Sequence, residues 1–183
     1  MNTLSLTELH EEYQEVRKIK LSDEQFSAFI TYYPALLVAK TDGEVDEKEW
    51  SLLQGLANHI VTETLPSNAD KEEVKDYKDL FFNEFKYLID NLDIWDRKFM
   101  KTLQKLLNQR PELVETVSAT LYALADVSKG VCEKENTMIE YLRSELKIKD
   151  LGKNICVVPQ TSQSRATRNP SWLAFLSYFS LGL

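Results

Sequence analysis

Apolar residues recur along this chain at the i, i+3, i+4, i+7 spacing that gathers them on one face of an α-helix. Leu6, Leu9, Tyr13 and Val16 mark a first amphipathic helix. Ser22 followed by Gln25 has the form of a capping box, in which each side chain satisfies a free backbone N–H of the other. It opens a second helix lined by Phe26, Phe29, Ile30, Tyr33, Leu36 and Leu37. Pro34 inside that pattern predicts a kink or break near Tyr33, because proline lacks an N–H and restricts the residue before it. A third helix starts after Asp46, buries Trp50, Leu53, Leu56, Ala57 and Ile60, and stops at Leu65-Pro66-Ser67-Asn68.

The pattern continues. Val74, Tyr77, Phe81, Phe85 and Leu88 form the stripe of a fourth helix. Asp93 can cap a fifth that carries Trp95, Phe99, Leu103 and Leu106. Pro111 suits the first position of a sixth, with Leu113, Val117, Leu121 and Leu124 inside. A seventh follows Val131, with Met138, Ile139, Leu142 and Leu146. No alternating run long enough for a strand precedes residue 154. The expected fold is a single all-α bundle of about seven helices over residues 1–150. Residues 151–183 read as a polar linker, with Arg165 and Arg168, followed by an apolar segment from Trp172 to Phe179. Taken as a helix, that segment places Trp172, Phe175, Leu176, Phe179 and Leu183 on one face. Packing on the parent domain, or on a sister subunit in a homodimer, is its first expected use; a partner's groove and a membrane surface are the others.

Composition narrows the function. The chain has 183 residues, 43% of them hydrophobic, which is enough for one packed helical domain. A formal charge of −7 argues against nucleic acid as the main partner and suits a cation or a basic protein surface. Met1 to Glu8 lacks the basic start and apolar core of a secretion signal, and no apolar run approaches the ~20 residues that span a bilayer. A cytoplasmic protein is the expectation. Cys132 and Cys156 make neither a metal spacing nor a disulfide framework.

The stretch with most chemistry is Ala39-Lys40-Thr41-Asp42-Gly43-Glu44-Val45-Asp46-Glu47-Lys48-Glu49. Leu124 to Glu135 echoes it: an apolar helix, an aspartate, a glycine turn at Gly130, then Val131 with Glu135 four positions on. The second copy has two extra residues between its aspartate and its valine. Two such helix-turn-helix units suggest a duplicated architecture.

Asp42-Gly43-Glu44-Val45-Asp46-Glu47-Lys48-Glu49, after Leu36-Leu37-Val38-Ala39, is similar to the Asp-Gly-x-hydrophobic-x-x-x-Glu motif of the tellurite-resistance TerB-like family. The resemblance runs over roughly residues 5–148, with Thr41 where alanine is common. It implies a non-enzymatic, cytoplasmic role in bacterial resistance to tellurite and related chemical stress. It also implies an acidic, metal-responsive adaptor that meets partner proteins at the inner face of the membrane. The positions carried over are Asp42, Asp46 and Glu49 in the first unit, and Asp126 and Glu135 in the second.

Those residues have a physical reading of their own. Asp42, Glu44, Asp46, Glu47 and Glu49 crowd one turn, where like charges repel unless they are solvated or paired with a cation. Ca²⁺ or Mg²⁺, which take oxygen ligands, are the cofactors such a turn favours. An EF-hand register starting from Asp42 as the fifth position aligns Gly43, Val45 and Glu49, but puts Val38 and Lys40 where two aspartates belong. It is not an EF-hand. A metal-free alternative stands beside the cation site: Gly43 ends a helix in a left-handed conformation, Asp46 caps the next, and Glu49 completes the capping box. Asp42, Glu44, Asp46, Glu49, Asp126 and Glu135 are thus the candidate ligands, and their two turns are expected to meet on one face.

Other chemistry is sparse. Neither His10 nor His59 has a glutamate three residues earlier, so the pairs of di-iron bundles are missing, and both read as surface or boundary residues. The five glycines are isolated and no serine sits in a nucleophile elbow. Phe82 and Tyr87 fall off the main stripe of their helix and are expected to touch a neighbouring helix or another subunit.

Overall fold

The computed structural model describes residues 4–127 and 133–148, the side chains of 125–127 excepted. Their regular structure is entirely α-helical, with no strand among the described residues. The helices are α1 (Leu6–Arg17), α2 (Asp23–Thr31), α3 (Tyr33–Ala39), α4 (Glu47–Thr64), α5 (Lys71–Asp90), α6 (Leu92–Gln109), α7 (Leu113–Val127) and α8 (Glu133–Glu145). The seven expected helices are present, the second delivered as two pieces that part at Tyr32. Pro34 lies in the first turn of α3, where its missing N–H leaves no bond unmade. The linker and apolar segment assigned to residues 151–183 lie outside the described residues, as do Gly130, Cys132 and Cys156.

Capping chemistry sets the helix starts. Ser5 with Glu8, Ser22 with Gln25, and Asp46 with Glu49 each form a complete capping box, and the Asp70 side chain caps α5 alone. At two starts the expectation needs correction. The cap of α6 is Asn91, not Asp93, which sits in its first turn. A single residue separates α5 from α6, so the Asn91 side-chain amide donates back to the Tyr87 carbonyl and closes α5 rather than opening α6. Pro111 precedes α7 instead of beginning it. It lies in a tight turn in which Leu113 N–H donates to Arg110 and Val114 N–H to Pro111.

The centre of the fold is α3. Every residue from Tyr33 to Ala39 is buried, as a helix apolar on all sides must be. It packs against α2, α4, α5, α6, α7 and α8. Around it, α4 lies along α5, and α1 lies along α6. Tyr13, Phe26, Phe29, Trp95 and Phe99 meet edge to face or tilted where α1, α2 and α6 come together. Because α3 is short and central, its C-terminal turn emerges from the core close to α4, α7 and α8. That places the acidic stretch.

Two side chains of α1 depart from expectation. His10 is buried, stacked on Phe26 at 4.5 Å with its Nδ1 3.0 Å from Asp23 Oδ1. Val16, expected in the buried stripe, is 53% exposed. The buried face of α1 is rotated toward His10 and Arg17, which leaves Val16 on its rim. No helix among the described residues is long and apolar enough to cross a membrane.

Candidate functional site

The first acidic turn is built tightly. After α3 ends, Thr41 donates its hydroxyl to the Leu37 carbonyl and Gly43 N–H donates to Lys40. The Lys40 ammonium closes the loop by donating to the Gly43 carbonyl at 2.6 Å. Gly43 has φ +110°, a conformation that glycine alone adopts without strain. The chain then turns extended at Asp46, whose Oδ1 accepts the N–H groups of Lys48 and Glu49, both at 2.8 Å. Glu49 returns the favour, its Oε2 accepting the Asp46 N–H at 2.8 Å. The capping box expected at Asp46 and Glu49 is therefore present, whereas Gly43 does not end a helix: α3 stops at Ala39 with Lys40 as its right-handed cap, and Gly43 takes its positive φ three residues later, inside the loop.

Exposure divides the carboxylates into two sets. Asp42, Glu44, Asp46 and Glu47 face solvent. Glu49 is only 4% exposed. Glu135, the third residue of α8 and the counterpart of Glu49 in the echoing unit, is only 5% exposed. Asp126 belongs to the last turn of α7, and its side chain lies outside the described ones.

Glu49 and Glu135 come from different helices, yet the charge of Glu135 bears on Glu49. Burial is the largest influence on Glu49 and raises its pKa, the hydrogen bond from Asp46 N–H opposes, and the charges of Asp46, Asp42 and Glu135 raise it further. The outcome is a carboxyl pushed up to about 7. Asp42, Asp46, Glu49 and Glu135 are thus gathered at one corner, where the turn after α3 meets the start of α8. A carboxyl poised there releases its proton near neutrality and gains from any positive charge that approaches.

The residues fit a metal only in part. Asp46 Oδ1 and Glu49 Oε2 are committed to backbone N–H groups, leaving one oxygen on each. Among the described residues, no group of three or more His, Cys, Asp or Glu side chains is placed to hold a metal ion.

Beside the corner stands an aromatic pair. Trp50, expected in the core, is half-buried and meets Phe82 of α5 edge to face, with centroids 5.7 Å apart. Phe82 thereby makes the neighbouring-helix contact expected of it, and Tyr87 does the same by accepting the Trp95 indole N–H at 3.2 Å. His59 is half-buried against Tyr32, and burial lowers its pKa while Glu63 opposes.

A second polar cluster is structural. Buried Glu84 accepts hydrogen bonds from Arg17 Nε at 2.7 Å, Arg17 Nη2 at 2.9 Å and Tyr13 Oη at 2.8 Å. The Arg17 guanidinium also lies 3.6 Å over the Tyr87 ring. Every group here is engaged, so the cluster ties α1 to α5 and leaves nothing for a ligand. Comparison with family models, curated proteins and solved structures finds no match.

Proposed function

We propose that this chain is a non-enzymatic, TerB-like stress-response protein that docks a positively charged partner protein on the corner between the α3–α4 turn and the start of α8. One observation carries this reading: solvent-facing Asp42, Glu44, Asp46 and Glu47 crowd the turn that leads into α4, next to buried Glu49, on which the charge of Glu135 from α8 also bears. Such a surface draws in basic partners by its field and discriminates against acidic ones. The resemblance to the TerB-like family supplies the stress-response part of the proposal, and with it a cytoplasmic setting at the inner membrane face.

The test is survival of tellurite by cells that depend on this protein. The neutral variant Asp42→Asn/Glu44→Gln/Glu47→Gln keeps the Asp46–Glu49 cap and is expected to fold with an unchanged melting temperature while losing protection. Full protection by this variant would count against the docking corner. No protection from the unaltered chain would reject the stress-response role.

A second reading is a divalent cation, Ca²⁺ or Mg²⁺, bound weakly between the two turns. The influence of the Glu135 charge on Glu49 favours it, since two nearby carboxylates repel unless a proton or cation separates them. Calorimetry with Ca²⁺, Mg²⁺ and Zn²⁺ tests it: binding heat lost in Glu49→Gln/Glu135→Gln supports the site. Absence of heat, together with an unmoved melting temperature at millimolar metal, rejects it.

A further inference from the structure

We infer that Trp50 and Phe82 form a seat for an arginine side chain of an extended basic peptide segment, and that Lys86 holds this seat in the free protein; the inference rests on the docking corner proposed above. Lys86 is exposed, and its ammonium lies 4.3 Å from the Phe82 ring centroid and 5.8 Å from that of Trp50. It makes no ion pair with a carboxylate among the described residues. An ammonium free to extend into water instead rests over two aromatic faces, as ring quadrupoles favour. The chain itself thus shows which chemistry the rings accept.

The position of the rings says where the rest of such a ligand goes. Glu47 stands three residues before Trp50 on the same side of α4, Asp46 caps the helix just ahead of it, and both are exposed. A peptide laid across Trp50 therefore runs onto Asp46 and Glu47, with Asp42 and Glu44 on the preceding turn. Charge complementarity selects the occupant: a chain of −7 with carboxylates flanking an aromatic pair fits a cationic segment. Arginine suits the seat better than lysine, because its planar guanidinium is less strongly hydrated and stacks on aromatic rings. On docking, Lys86 moves off the rings and arginine takes its place.

Calorimetric titration of the full chain with a blocked decapeptide of alternating arginine and alanine tests this, with alternating glutamate and alanine as the control peptide. Lys86→Ala is expected to tighten binding about threefold beyond the Lys75→Ala control, which removes the same charge elsewhere on α5. Trp50→Leu, which keeps an apolar side chain without a π face, is expected to weaken binding about threefold, and Trp50→Phe to restore most of it. Melting temperatures verify that each variant is folded. If Trp50→Leu binds as the unaltered chain does and Lys86→Ala as the Lys75→Ala control does, while Asp42→Asn/Glu44→Gln/Glu47→Gln weakens binding, the aromatic seat is overturned and the acidic corner stands. If the arginine peptide does not bind the unaltered chain, both are overturned.

Discussion

Replacing Arg17 by methionine isolates the largest single electrostatic commitment in the core. Glu84 is 3% exposed and receives two hydrogen bonds from Arg17 and one from Tyr13. Methionine keeps most of the aliphatic stem but leaves the Glu84 carboxylate with the tyrosine hydroxyl as its remaining partner. Leaving a buried charge uncompensated costs about 3–5 kcal/mol, and the stacking of the guanidinium on Tyr87 adds about 1 kcal/mol. The reverse change, Glu84→Gln, is expected to cost only about 1–2 kcal/mol. The Arg17 side chain is 26% exposed and can turn its charge to water. The double variant Arg17→Met/Glu84→Leu removes both charges and should recover much of the loss. Urea unfolding of the four proteins reads these differences. Equal and small costs for the two single changes, below about 1 kcal/mol, would refute the view of Glu84 as a buried anion held by Arg17.

Two further outcomes follow from the acidic turn. A carboxyl with a folded pKa of about 7 and an ordinary value of 4.5 stabilises the fold fully below 4.5 and loses that contribution as pH rises through 7. The loss amounts to about 3 kcal/mol at most, and the difference in urea stability between the unaltered chain and Glu49→Gln, measured from pH 4.5 to 8, should carry it. A difference that stays flat with pH would contradict the burial of Glu49. Gly43→Ala should cost about 1–2 kcal/mol through backbone strain alone, since a Cβ there meets nothing within 4 Å; an unchanged urea midpoint would show that the turn relaxes without glycine.

The helices were legible because their buried faces repeat with the helical period and their starts carry capping residues. Ser22–Gln25 and Asp46–Glu49 announced two of those starts, and Pro34 announced the break before α3. What escaped depended on neighbours distant in sequence. Asn91 closes α5 because α6 begins at once, a crowding that local preference for Asp93 as a cap does not encode. His10 is buried because Phe26 of α2 stacks on it, and Val16 is exposed because the face of α1 is set by the Arg17–Glu84 link to α5. Within the corner, the crowding of Asp42 to Glu49 was visible as local charge. The division into exposed and buried carboxylates was not, since the burial of Glu49 and Glu135 depends on how α4 and α8 pack. The spacing of Trp50 reads as core; only the placement of α5 shows that part of it is left open beside Phe82.

Carbon-detected NMR of the glutamate carboxyls reads the corner directly at Glu49 in α4 and Glu135 in α8. With Glu49 and Glu135 at a shared corner, the Glu49 carboxyl should titrate near 7, and its midpoint should fall in Glu135→Gln. A Glu49 carboxyl that titrates near 4.5, indifferent to the residue at 135, would mean that the starts of α4 and α8 do not share a corner.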